Sequence, residues 1–268
     1  MPAITLLTDF GTTDGYVGTM HGVILRINPA ATVVDVCHEV PPQDIRATAF
    51  ILSTVYPYFA ADTIHVVVVD PGVGSTRRAI ALQTARGLFV APDNGVLSYV
   101  LSREPILQMV QLTNDAYWLA DRSNTFHGRD VFAPVAAHLS RGVSLRDLGC
   151  AVQNVVCSPI RDGYLAENGT IRGEVVHVDR FGNLITNLTR ELLPPGQQLR
   201  VQIAGQEAHG LTESYAQTNE GELLALFGSS GYLEIAVRNG SAATVLRARP
   251  GTLVIVTALE SNGAASPG

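Results

Sequence analysis

The sequence predicts an α/β protein. Its amino-terminal part carries a mostly parallel sheet, and its carboxy-terminal part is all-β, of barrel or sandwich type. Three observations carry this. Short β-branched apolar runs alternate with stretches of helical period through the first 140 residues. After about residue 165 helical periodicity fades and brief strands follow one another between Gly, Asn and Pro. The 268 residues suffice for one large domain or two modest ones, with a core that needs no disulfide or structural metal. The expected divisions are 1–164, 165–260 and a small, polar tail, 261–268, expected to be disordered.

Residues 3–8 (AITLLT), 32–37 (TVVDVC) and 63–69 (TIHVVVV) read as strands buried on both faces. Between the first two, Tyr16, Val17, Met20, Val23, Ile24 and Ile27 recur at helical spacing, with Thr13 or Asp14 available as a cap. Between the next two, Ile45, Thr48, Ala49, Leu52 and Val55 repeat the pattern after Pro41-Pro42. Strand, helix, strand, helix, strand implies right-handed crossovers. Residues 79–84 and 88–95 read as further strands joined at Arg86-Gly87, followed by a helix over 95–103. A last helix is expected over 130–141, where Pro134 is tolerable only near the helix start. Beyond the connection at 151–168, IRGEVVHVD, NLITNL, QLRVQIA, ELLALF, YLEIAV and TLVIVTAL read as strands. No internal repeat is visible.

A net charge of −6, a pI near 5.6 and no basic run longer than Arg77-Arg78 argue against nucleic acid as partner. The apolar stretch at the start is too short for a signal-peptide core, and the longest aliphatic run, Val66 to Val69, is far below the ~20 residues of a membrane helix. The expectation is a cytoplasmic protein with no membrane partner. Cys37, Cys150 and Cys157 lack metal-site spacing and read as core thiols.

Open α/β sheets bind ligands beyond the carboxyl ends of their parallel strands. There this sequence is acidic: Asp9 and Asp14 follow the first strand, Asp70 to Arg77 the third, and Asp93-Asn94-Gly95 the 88–92 strand, while Thr125 to Asp130 precede the last helix. No G-x-G-x-x-G or Walker pattern is present, and carboxylates here repel a pyrophosphate but suit the hydroxyls of a ribose. Asp9 serves equally as a helix cap or a ligand, and Asp14 leans towards a cap. Asp70 doubles as a turn former before Pro71-Gly72, with Arg77 as its exposed partner. His127 has no companion at metal-ligand spacing, so no metal is expected. A carboxylate, a guanidinium and an imidazole at one sheet edge are nonetheless an enzyme-like set. In the second part, Asp179 to Asn183 and Ser229-Ser230-Gly231 read as turns, Tyr215 and Phe227 as candidate core aromatics, and Glu234 as a solvated strand residue.

Six ordered segments, TDFGTTDGYVG, VVDPGVGSTRR, APDNGVLS, TFHGRD, VDRFGNLITN and SSGYLEIAVRNGSAA, span residues 7–243. Together they closely resemble the S-adenosyl-L-methionine hydroxide adenosyltransferases, relatives of the fluorinating and chlorinating enzymes that attack the same substrate with halide. The resemblance implies a β-barrel-like second domain and a homotrimer, with each site where one subunit's first domain meets its neighbour's second. It implies hydrolysis of S-adenosyl-L-methionine at the 5′ carbon to adenosine and L-methionine, without a cofactor, with Asp70, Arg77 and His127 as the catalytic set of the hydrolytic branch. By the same resemblance Asp9 grips the ribose, Asp14 and Asp179 contact the methionine part, and Phe181, Asn183 and Tyr215 form the adenine pocket. Ser229, Ser230, Glu234 and the Val237 backbone lie along the substrate loop and the strand after it. The alternatives are a halide-using transferase and a non-catalytic binding protein for S-adenosyl-L-methionine or adenosine.

Overall fold

The structure, a computed structural model, describes residues 2–194 and 198–259, so the expected tail lies outside the described residues. It divides into two compact units, Met1–Ile160 and Arg161–Gly268. The first is built from β1 (Ile4–Thr8), α1 (Tyr16–Ile27), β2 (Val33–Cys37), α2 (Ile45–Val55), β3 (Ile64–Val68), β4 (Ala79–Thr84), β5 (Gly87–Pro92), α3 (Ser98–Leu101), β6 (Gln108–Leu112), α4 (Ala133–Ser140) and β7 (Gly149–Ala151). Its sheet runs β2-β1-β3-β5-β4-β6-β7. The first four strands are parallel, and β4, β6 and β7 extend them antiparallel.

Strand alternation divides the apolar side chains between two faces. Ile4, Leu6, Ile64, Val66 and Val68 pack with Met20 and Ile24 of α1 and Val135 and Leu139 of α4. Leu7, Val67, Val69, Ile80 and Phe89 pack with Leu52 of α2 and Val100 of α3. Every central strand is therefore buried on both sides, and polar side chains emerge only at strand ends, where the candidate residues sit.

Local details correct several expectations. The residue ahead of α1 is Gly15, with no side-chain cap, so Asp14 does not cap it; Asp44 caps α2 by accepting the Ala47 N–H at 2.9 Å. The helix expected over 95–103 shrinks to α3. The last helix begins with a π turn, Gly128–Phe132, before α4, and Pro134 falls at its first turn. The Asp130 carbonyl, which Pro134 has no N–H to meet, accepts the Leu119 N–H at 2.9 Å. Cys150 and Cys157 are exposed and not core, whereas the half-buried Cys37 packs against the core face that contains Leu7 and Val67.

The second unit contains β8 (Tyr164–Leu165), β9 (Ile171–Val178), β10 (Leu184–Thr189), β11 (Leu199–Ile203), β12 (Gln206–His209), β13 (Leu223–Phe227), β14 (Tyr232–Val237), α5 (Ala242–Leu246) and β15 (Leu253–Ala258). The antiparallel path is β12-β11-β15-β9-β10-β14-β13, with β8 added on β9. Its end strands β12 and β13 approach one another, and the Thr212 N–H reaches the Ala225 carbonyl at 2.9 Å, so the barrel is nearly closed. Val201, Ile203, Leu233, Ile235, Val254 and Val256 fill it, with Ala242 and Leu246 of α5.

His65, the second residue of β3, is buried and stacked on Phe89 with ring centroids 5.0 Å apart. Nδ1 shares a hydrogen bond with the Thr5 hydroxyl at 2.9 Å, while Nε2 has no hydrogen-bond partner among the described residues. Burial lowers its pKa to about 4. Below pH 6.5 the unfolded chain therefore takes up a proton that the folded chain refuses, and stability drains until about pH 4, by about 3 kcal/mol in all. A His65→Gln variant, whatever its stability at pH 7, is expected to lose about 2 kcal/mol less than wild type between pH 7 and 4.5 in urea titrations; equal losses would contradict this.

Candidate active site

Asp70 stands two residues beyond β3, and the chain then turns tightly so that Arg77 returns to it. The Ser75 N–H and hydroxyl both reach the Gly72 carbonyl, at 3.1 and 2.6 Å. Arg77 Nε lies 2.9 Å from each Asp70 oxygen, and Nη2 also donates to Oδ2. Both side chains are nearly buried, 10% and 5% exposed, so this is not a solvated surface pair. The guanidinium lies 5.3 Å from the centroid of the buried Phe132 ring.

Arg77 has a second partner. Its Nη2 lies 2.9 Å from His127 Nδ1. A guanidinium only donates, so Nδ1 must be the acceptor, and a neutral His127 carries its proton on Nε2. Burial lowers the His127 pKa, the Arg77 charge lowers it further, and Asp70 opposes them. The imidazole is thus a neutral Nε2–H donor at pH 7.

The loops meet because Gly74 permits it. It has φ +77°, and a Cβ there would stand 2.4 Å from the Asn124 carbonyl oxygen, three residues before His127. From the other side, Phe126 packs edge-on against Phe10 and Tyr16, which are tilted against one another, with centroids 5.1–5.7 Å apart. The loops bearing Asp9 and His127 therefore share one aromatic contact, which strand and helix periodicity alone did not single out. Asp9, half-buried after β1, accepts the Gln43 N–H at 2.8 Å on Oδ2. Asp14 is exposed.

In the second unit Asp179 organises the turn between β9 and β10. One oxygen accepts the N–H groups of Phe181 and Asn183 at 2.9 and 2.8 Å, and the other accepts Asn183 Nδ2 at 2.9 Å. The turn presents the Phe181 ring 76% exposed. Tyr215 is also exposed, not core, and its hydroxyl donates to Glu234 Oε1 at 2.5 Å. Glu234 is 6% exposed, not solvated, because β14 is buried on both faces: Leu233 and Ile235 inward, Glu234 and Ala236 on the other side. Burial raises the Glu234 pKa; the Tyr215 hydrogen bond lowers it, and the Asp179 charge adds to the rise. Ser229 and Ser230 occupy the turn between β13 and β14, and the Val237 carbonyl accepts the Gly240 N–H at 3.0 Å. Among the described residues no group of three His, Cys, Asp or Glu side chains is placed to hold a metal.

Residues 4–149 match the family model of the SAM hydroxide adenosyltransferase N-terminal domain, and residues 173–255 that of its C-terminal domain. The chain belongs to the SAM hydroxide adenosyltransferase family. A Salinispora tropica protein named (R)-S-adenosyl-L-methionine hydrolase is 41% identical over 96% of this chain and 98% of its own. A crystal structure of an uncharacterized conserved protein from Thermotoga maritima superposes with a TM-score of 0.89 at 37% identity, covering 94% of this chain and 99% of the other. A protein from an Actinoplanes species named fluorinase is more distant, 27% identical over 96% of this chain and 97% of its own.

In this member of the family, Gly74→Ala is expected to destabilise the fold by about 1–3 kcal/mol through positive-φ strain and the backbone clash. It is also expected to free His127 from Arg77, so that the imidazole titrates closer to its ordinary value. Histidine-selective nitrogen-15 NMR reads both titration and tautomer. A Gly74→Ala protein with unchanged His127 titration, or a wild type protonated on Nδ1 alone at pH 7, would contradict the coupling.

Proposed function

We propose that this chain hydrolyses S-adenosyl-L-methionine at the 5′ carbon, giving adenosine and L-methionine, with Asp70, Arg77 and His127 orienting the water. The observation that carries the reading is the Asp70–Arg77–His127 chain of hydrogen bonds at the carboxyl edge of a family-typical sheet. The relatives' name specifies the R sulfonium, and we carry that epimer over to this chain as the preferred substrate.

A sulfonium leaves as a neutral thioether, so no acid is needed at the leaving group. The demand falls on the nucleophile, and holding a water in line is worth several kcal/mol. The water donates one hydrogen to an Asp70 oxygen and accepts the His127 Nε2–H; its remaining lone pair faces C5′. As the carbon–oxygen bond forms, the carbon–sulfur pair withdraws onto sulfur. The oxygen becomes a strongly acidic oxonium, and its proton passes to the Asp70 carboxylate and then to solvent. Because Arg77 occupies Nδ1, His127 acts in this reading as an orienting donor rather than the base.

Asp9 takes the ribose hydroxyls, and Asp14 and Asp179 the methionine part. The exposed Phe181 ring, with Asn183 and Tyr215, receives the adenine, and Ser229, Ser230, Glu234 and Val237 line its approach. The reaction needs no cofactor or metal. We infer a homotrimer of 28.5-kDa chains, in which one subunit's first unit works with a neighbour's second. No helix among the described residues is long and apolar enough to cross a membrane, and three free thiols suit the cytoplasm, where we place the enzyme.

A bare carboxylate ~4 Å from chloride repels it by roughly 4 kcal/mol at an effective dielectric near 20. Arg77 offsets most of that, so water is favoured chiefly because it brings hydrogens for Asp70 to accept.

Turnover in oxygen-18 water is expected to label the adenosine 5′ hydroxyl, and wild type in molar chloride is expected to yield no 5′-chloro-5′-deoxyadenosine. An unlabelled hydroxyl, or substantial chloro product, would overturn the reading. Asp70→Asn should lower kcat by about a hundredfold or more while substrate affinity changes little. Since the neutral imidazole is the working form and its pKa is lowered, the acid limb of kcat/KM is expected below pH 6.5; a limb above 6.5 would contradict the assignment. Light scattering of an active monomer would exclude the trimer.

A further inference from the structure

The Asp9 loop is held along its length by the segment joining β2 to α2. The Gly11 N–H reaches the His38 carbonyl at 2.7 Å, the Thr12 hydroxyl donates to Glu39 at 3.0 Å, and the Thr8 hydroxyl shares a hydrogen bond with His38 Nδ1 at 2.9 Å. The first of these contacts fixes the loop backbone, and the other two tie its threonine side chains to the same segment. One further bond, from the Gln43 N–H to Asp9 Oδ2 at 2.8 Å, fixes the carboxylate itself.

That bond exists because of an uncommon backbone. Pro41 to Asp44 form a turn closed by the Asp44 N–H on the Pro41 carbonyl at 3.0 Å, with Pro42 second and Gln43 third at φ +64°. A proline followed by a left-handed residue is the type II arrangement, whose third position favours Gly or Asn. Gln43 is exposed, and the described contact at this position comes from its backbone. The turn is anchored on its carboxyl side, since Asp44 caps α2. A non-glycine residue in this region is strained, and such strain persists where its surroundings over-determine it, often at binding sites.

We propose that Gln43 is a positioning residue for substrate. Its left-handed backbone directs its N–H at Asp9 Oδ2 and holds that carboxylate ready for a vicinal diol, the ribose pair of the nucleoside. The bond leaves Oδ1 and one lone pair of Oδ2 to accept the two hydroxyls. The proposal rests on the reading of Asp9 as the ribose-binding group, and the test separates the two.

Calorimetry with adenosine and 2′,3′-dideoxyadenosine on the full chain, with SAM kinetics alongside, compares wild type, Asp9→Ala, Gln43→Gly and Gln43→Val. Glycine keeps the N–H and tolerates positive φ; valine disfavours it. Loss of one hydrogen bond to a charged acceptor corresponds to about tenfold. Gln43→Val is therefore expected to weaken adenosine about tenfold, leave the dideoxy analogue within about twofold, and raise KM with kcat nearly unchanged. Gln43→Gly is expected to resemble wild type, and Asp9→Ala to lose the preference for the diol. Should Gln43→Val not fold, Gln43→Ala, also disfavoured at positive φ, is expected to show the same selective loss in smaller measure. Equal loss for both ligands, or none, would overturn the role of Gln43 while leaving Asp9 in place. An Asp9→Ala protein that still prefers adenosine would overturn the Asp9 reading and the proposal with it.

Discussion

Arg77 is the node around which the first unit's site is arranged. One guanidinium faces two groups that would otherwise be poorly placed: a nearly buried carboxylate that needs a counter-charge, and an imidazole whose proton has a choice of nitrogen. Its charge makes the first tolerable, and its donors decide the second. Neither effect needs the arginine to touch a substrate. The rest of the loop architecture serves to bring the guanidinium there: the tight turn at Gly72 to Ser75, the close approach at Gly74, and the Phe132 ring beneath it. Lysine carries the same charge and three donors, but all on one nitrogen, without the rigid planar fork that sets Nε and Nη2 against Asp70 while Nη2 also reaches His127.

Much of the scaffold was legible in the sequence where the physics is local. The parallel strands β1, β2 and β3 announce themselves by β-branched runs, and α1 and α2 by their period, but only β1 and β3 are buried on both faces as expected; β2 is the edge strand, half-buried with Asp35 exposed. Missed were β6, β7, β8, β12 and α5. Gln108–Leu112 has polar residues at positions 108 and 111, Gly149–Ala151 and Tyr164–Leu165 are too short for any period to register, and Gln206–His209 is a polar strand at the end of the path. Such segments become strands because a neighbour offers hydrogen bonds, which is a tertiary fact.

The site divides along the same line. Asp9, Asp70, Arg77 and His127 stand out in the sequence as candidates because strand ends in α/β folds present ligands' partners and because their motifs stand in order. What they touch was not readable: that Arg77 spans to His127, fifty residues on, or that a backbone N–H at Gln43 meets Asp9. Glu234 was misread for a related reason. Alternation correctly turned it away from Leu233 and Ile235, but it does not reveal that the other face of β14 is buried too, or that Tyr215 arrives from a distant loop. A two-residue period separates faces; it does not say what covers them.

The π turn at Gly128–Phe132 has a consequence for how His127 is aimed. A regular helix advances about 100° per residue, so the one extra residue accommodated in a π turn rotates everything upstream by roughly that angle relative to the buried stripe of α4. The direction of the imidazole is thus set by the number of residues between it and Val135 as much as by their identity. Excising a single position from this stretch would leave the chemical inventory whole yet swing the ring about a quarter-turn out of register with the guanidinium. In this part of the chain, counting residues is itself part of what sets the candidate site.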